Sequence, residues 1–125
     1  MSYFVYILEC RDGRYYTGYT VDIDKRIKEH FSGKGGAKFT RGFPPLKLIA
    51  AWQINGTKGD AMRVEAFIKS NTREEKCRII SKPSSLNGMI AEKYPDREIG
   101  IELFQYLTEV NPMSPGGGTE KRGLE

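Results

Sequence analysis

The sequence predicts an α+β domain, a small three-stranded antiparallel sheet flanked by helices in the order β-β-α-β-α-α. Three observations predict it. Two runs rich in aromatic and β-branched residues, Tyr3–Cys10 and Tyr15–Thr20, stand either side of Asp12-Gly13, the pattern of a β-hairpin. Three later segments open on capping residues and carry apolar side chains at helical spacing. A length of 125 residues at 38% hydrophobic content suits one core rather than two.

Each element has its own signal. The first strand, residues 3–10, has apolar side chains at odd and even positions, as for a strand buried on both faces. Asp12-Gly13 turns the chain, and Tyr15-Tyr16-Thr17-Gly18-Tyr19-Thr20 returns it as the second strand. A helix is expected over Asp22–Phe31, capped by Thr20 or Asp22 and followed by Gly33. Ile23 and Ile27 form one of its faces, and Arg26 and His30 another at the same i, i+4 spacing. Residues 32–45 read as a loop with four glycines, three cations and no acid. Leu46–Ile54, with Trp52 inside it, is the third strand, ended by Asn55-Gly56. Thr57-Lys58-Gly59-Asp60 resembles a capping box with Asp in the usual Glu place, and predicts a helix over 59–70. Thr72-Arg73-Glu74-Glu75 is a full capping box and predicts another, to about Ser81.

The composition changes after Pro83. Ser85–Tyr94 fits a short helix stopped by Pro95. Ile99–Val110 alternates at first and then continues at helical spacing, so both elements stay open there. From Met113 the chain is rich in Gly, Ser and Pro and is expected to be disordered. The organisation expected is a domain over 1–82, an extension over 83–112 of uncertain structure, and a tail over 113–125.

Composition narrows the function classes. The net charge of +4 is uneven. Residues 1–82 hold 16 Lys+Arg against 9 Asp+Glu, a balance of +7, and residues 83–125 hold 4 against 7, a balance of −3. A basic body points to a polyanionic partner. No apolar run approaches the ~20 residues that span a bilayer, and the start of the chain reads as a strand rather than an export signal. The expected place is the cytoplasm, with no membrane partner. Cys10 and Cys77 are far apart, in no CxxC pattern, and with one histidine they cannot complete a four-ligand zinc site. They are expected to be reduced thiols, buried or half-buried.

Hydrolysis of a phosphodiester needs a cation for the charge on the phosphoryl oxygens, a base for water, and often a divalent ion on a carboxylate. Arg26 suits the first role, because its fork matches phosphate and stays charged. His30, one turn on, can relay a proton. Glu65 borders the apolar stripe of Ala61, Val64 and Ile68, where one carboxylate with water and phosphate makes a normal magnesium site. Each also has an ordinary reading: a surface arginine, a histidine at a helix C-terminus, and a glutamate paired with Lys69. Tyr3, Tyr6, Tyr15, Tyr16 and Tyr19 read equally as core or sheet-face residues. Lys34, Lys38 and Arg41 suit phosphate contacts or a solvated loop. Thr17-Gly18 marks either close backbone approach or a strand irregularity.

Val5-Tyr6-Ile7, Tyr16-Thr17-Gly18, Arg26, His30 and Glu65, in this order and spacing, resemble the GIY-YIG nuclease domain over roughly residues 2–82. Phe4-Val5-Tyr6-Ile7-Leu8-Glu9-Cys10 and Gly35-Gly36-Ala37-Lys38-Phe39-Thr40-Arg41 resemble its small single-domain bacterial subgroup, related to the catalytic subunit of structure-selective endonucleases. The resemblance implies metal-dependent hydrolysis of DNA, branched or single-stranded, in repair or recombination. It makes Tyr6 the base or water-positioning group, supported by Tyr16. It makes Arg26 the transition-state cation, His30 the proton-transfer partner and Glu65 the ligand of one Mg²⁺ or Mn²⁺. Larger members carry separate DNA-binding domains, which this chain lacks. Some carry a metal-shell asparagine after the glutamate-bearing helix, and Asn71 lies too near to match it. Two other readings stand beside the endonuclease: a non-catalytic nucleic-acid-binding module, and a nuclease subunit that needs a protein partner, docked through residues 83–112.

Overall fold

The computed structural model describes residues 2–32 and 45–104. In chain order the elements are β1 (Ser2–Cys10), β2 (Tyr15–Thr20), α1 (Ile23–Ser32), β3 (Pro45–Asn55), α2 (Lys58–Ser70), α3 (Arg73–Ser81), a 3-10 turn (Pro83–Ser85), α4 (Leu86–Lys93) and β4 (Gly100–Leu103). The architecture is α+β, as the sequence predicts. Most of the loop at 32–45, with Lys34, Lys38 and Arg41, and the tail from Met113 lie outside the described residues.

The local signals act as physical chemistry dictates. Asp12 Oδ1 accepts from the Arg14 N–H at 3.0 Å, and Gly13 takes φ +87°, a conformation open to glycine at no steric cost. Asp22 Oδ1 accepts from the Lys25 N–H at the start of α1. Thr57 with Asp60, and Thr72 with Glu75, close reciprocal capping boxes on α2 and α3, each satisfying two backbone donors that a helix start leaves unpaired.

The sheet is antiparallel, in the order β2-β1-β3-β4. β1 is central, pairing Tyr6 with Gly18 on β2 and with Ala51 on β3. Its alternation feeds two cores. Val5 and Ile7 join Trp52, Ile54, Ala61, Val64, Ile68 and Ile79 on the face covered by α2 and α3. Tyr6 and Leu8 join Ile23, Ile27 and Ala51 on the face covered by α1.

One strand exceeds the expected three. Gly100–Leu103 pairs with Trp52–Asn55 as an edge strand, which settles the start of the ambiguous 99–110 segment. Four residues are too few for a period to declare itself, and pairing with β3 decides the matter. The segment after Pro83 is built into the first core. Leu86, Ile90 and Ile101 are buried there beside Trp52, and the Trp52 indole N–H donates to the Pro83 carbonyl at 3.0 Å. Phe104 crosses to the other core and packs edge-on against Phe4. Cys10 is buried, but Cys77 is exposed, contrary to the expectation for both thiols. It sits at the edge of α3, its Sγ 3.5 Å from the Tyr15 hydroxyl of β2, while Ile79 is the helix's buried residue. No described helix is long and apolar enough to cross a membrane.

Candidate active site

β1 sends Tyr6 toward α1, and α1 returns His30 to meet it. The Tyr6 hydroxyl lies 2.8 Å from His30 Nε2, and both residues are 1% exposed. The Tyr16 ring, from β2, completes the group, with its centroid 5.1 Å from the His30 ring and 6.3 Å from the Tyr6 ring. His30 therefore does not share a separate face with Arg26. Seven residues from Ile23 are two helical turns, so Ile23, Ile27 and His30 are buried together. Arg26 sits at the border of that face, partly exposed.

The Arg26 guanidinium donates to Glu29 Oε1 at 2.8 Å, and its charge acts on the Tyr6 hydroxyl. The pattern Arg26-x-x-Glu29 is an i, i+3 ion pair written in the sequence, yet composition and spacing alone do not single Glu29 out. Gly18 acquires a definite role. A Cβ there would stand 2.7 Å from the Tyr6 hydroxyl oxygen and 2.9 Å from Cζ. The missing side chain is the space in which the Tyr6 ring lies, so Gly18 serves packing rather than backbone conformation.

Burial sets the protonation states. Desolvation, reinforced by Tyr16 and Glu65, raises Tyr6 well above the ordinary phenol value, although Arg26 pulls it down. Desolvation, with the Arg26 charge, pushes His30 down to about 4, partly countered by Glu29. Both groups are therefore neutral near pH 7. Burial disfavours the Arg26 charge, but hydrogen bonds to Glu29 and Tyr6 outweigh it and raise the guanidinium further.

Glu65 lies on the flank of α2, which packs against β1 and β2. Its side chain is 18% exposed and its Oε2 is 3.3 Å from Lys69 Nζ. It is thus the boundary glutamate paired with Lys69, and its charge is the smallest of the influences that raise Tyr6. Among the described residues no three His, Cys, Asp or Glu side chains gather into a metal site. Glu65 alone would supply a hard oxygen donor, with water and phosphate completing the shell, an arrangement that suits Mg²⁺. Tyr6, Tyr16, Arg26 and His30 meet in one cluster, Glu65 stands within electrostatic reach of it, and Lys34, Lys38 and Arg41 fall outside the described residues.

The molecule is a small α+β domain whose antiparallel sheet buries a tyrosine–histidine pair beside an arginine. A family model described as the GIY-YIG catalytic domain matches residues 2–78, and the chain belongs to that family, which is one of nucleases. It is 52% identical over 81 residues to the UPF0213 protein BH0048 of Halalkalibacterium halodurans, covering 65% of this chain and 84% of that protein. It is 46% identical over 79 residues to a UPF0213 protein of Syntrophus aciditrophicus, covering 63% and 90%. A solution NMR structure of the UPF0213 protein BH0048 from Bacillus halodurans aligns with a TM-score of 0.43 at 46% identity, over 73% of this chain and 98% of that one.

Proposed function

We propose that this chain is a divalent-metal-dependent endonuclease that hydrolyses DNA phosphodiester bonds, acting on branched or single-stranded DNA in repair or recombination in the cytoplasm. The observation that carries the proposal is the buried 2.8 Å contact between Tyr6 and His30, with Arg26 at its edge. A neutral tyrosine and a neutral imidazole in contact form a proton relay without a standing charge.

In this reading, water donates its proton to the Tyr6 oxygen as Tyr6 passes its own to His30 Nε2. The ring must then carry its resting proton on Nδ1. The water oxygen bonds to phosphorus and the P–O bond to the leaving oxygen breaks. The His30 imidazolium, acidic because it is buried, returns its proton to the Tyr6 oxygen, Tyr6 releases one to solvent, and a solvent proton goes to the leaving oxygen. Raised as it is, Tyr6 does not rest as phenolate, so transfer to His30 is what makes it a base. Arg26 binds the non-bridging oxygens, where its charge matters most as the phosphoryl group expands. Tyr16 packs the relay and excludes water. Glu65 would hold one Mg²⁺ or Mn²⁺, which when bound neutralises charge on the leaving oxygen. Lys34, Lys38 and Arg41 would hold flanking phosphates. Residues 1–82 contain every reacting group, and residues 83–112 remain the surface for a protein partner.

The test is cleavage of plasmid, single-stranded and branched DNA by wild type and Glu65→Ala, with Mg²⁺, with Mn²⁺ and with chelator. Metal-dependent cutting lost in Glu65→Ala supports the proposal. Cutting unchanged by that substitution overturns the metal assignment. Salt-sensitive binding with no cutting moves the chain to the binding-module reading.

A further inference from the structure

We propose that Glu29 is a positioning residue, holding the Arg26 guanidinium at the Tyr6–His30 pair in the geometry that receives a phosphate. The inference rests on the nuclease reading and adds a residue to its machinery.

Three observations converge. Glu29 Oε1 accepts from Arg26 Nη1 at 2.8 Å, and both side chains are largely covered, 24% and 28% exposed. The other described ion pairs on one helix are longer. Arg63 meets Asp60 at 3.2 Å and Lys69 meets Glu65 at 3.3 Å, and two are also exposed: Lys28 with Asp24 at 3.1 Å, side chains 71% and 59% exposed, and Arg78 with Glu74 at 3.4 Å, side chains 67% and 81% exposed. Exposed pairs of that kind restrain little, whereas a short charge-assisted bond at a covered site fixes a direction. Second, the held guanidinium is the one whose charge acts on both Tyr6 and His30. Third, Glu29 adjoins His30 in sequence, and its charge acts on that ring. A free arginine has many rotamers, and fixing it costs entropy at the moment of reaction. Glu29 meets that cost when the protein folds. It occupies one edge of the guanidinium fork and fixes the plane in which the others lie.

The test compares wild type, Glu29→Ala and Glu29→Gln. Gln keeps an acceptor oxygen but no charge. The first readout is the heteronuclear NOE of the Arg26 side-chain Nε–H in the free protein, which needs no substrate. The second is kcat against KM for DNA cleavage, with thermal midpoints recorded for each variant. The expected result is a mobile Arg26 in Glu29→Ala. Its kcat falls ~10- to 100-fold, as for misplacement of a reacting group. KM stays within about threefold, and Glu29→Gln lies between. An Arg26 as ordered in Glu29→Ala as in wild type overturns the proposal, whatever the activity. So does an unchanged kcat, or a lower KM with unchanged kcat, which would make Glu29 a competitor of phosphate. A wild type that cuts nothing sinks the nuclease reading, and the Arg26 order in Glu29→Ala then still decides whether Glu29 holds it.

Discussion

Two polar clusters are buried against this sheet, and each sets arginine beside a titrating group, with opposite results. At the start of α2, Asp60 is 6% exposed. Burial alone would raise it, but the Thr57 N–H and the Arg97 guanidinium outweigh burial and hold it below its ordinary 3.8. It accepts from Arg97 at 3.0 Å and from Arg63 at 3.2 Å. There the charged form is the stable one, and the cluster locks the 83–104 segment onto α2. On the other face, burial pushes His30 down and Tyr6 up, so both rest neutral. An acid fully satisfied as an anion is a fastener. A neutral pair sharing one hydrogen bond, with a cation at its edge, is placed to move a proton. Both clusters hold buried groups, and the direction of the shifts is what sets them apart.

The comparison can be broken first at its structural side. Asp60→Ala removes the carboxylate half of the α2 capping box, leaving the Thr57 half in place, and leaves Arg97 without its carboxylate. It should cost about 3 kcal/mol of stability, read as a lower urea midpoint. Turnover of the molecules still folded should be unchanged. A large fall in their kcat would mean that the two clusters are not separate.

The second test uses pH. His30 binds its proton less readily folded than unfolded, so its contribution to stability is fully present above about 6.5 and is lost as pH falls toward 4. Relative to His30→Gln, which does not titrate, wild type should lose about 2 kcal/mol across that window, the full shift being discounted for relaxation around the ring. Asp60, held low, contributes above 3.8 and loses its part only below it. Chemical denaturation at stepped pH should resolve two separate windows. One merged transition below pH 4 in both variants would contradict the assignment.

The smallest effect is at Gly18. In Gly18→Ala the new methyl meets the Tyr6 hydroxyl, and a ring 1% exposed has little room to retreat. Overpacking should cost about 1–2 kcal/mol and ~10-fold in cleavage through displacement of Tyr6 from His30. Normal cleavage would show that the 2.8 Å contact is not needed.

Much of this was legible in the residues. The turn at Asp12-Gly13, both capping boxes and the strands with apolar alternation are local signals, and local energetics decide them. Arg26 and His30 were legible as neighbours on a helix. The burial of His30 follows from the same spacing, seven residues after Ile23 and three after Ile27, but grouping it with Arg26 at i, i+4 hid it. β4 was hidden because a four-residue edge strand owes its existence to the partner it pairs with. Gly18 reads as an irregularity until the Tyr6 ring is seen across it. Tyr6 and Tyr16 could not be chosen from five tyrosines by pattern. Resemblance selected them, and the cross-strand register gives the physical reason: Tyr6 and Leu8 share a face of β1, and Leu8 pairs with Tyr16.

The account stands most directly on the Tyr6 hydroxyl. Tyr6→Phe keeps the ring and its packing and removes one oxygen. Single-turnover cleavage of a branched DNA in Mg²⁺ should fall ~10²- to 10³-fold, with circular dichroism and melting showing a folded protein. Cleavage within about threefold of wild type by that folded variant, a change too small for a lost general base, would contradict the Tyr6–His30 relay.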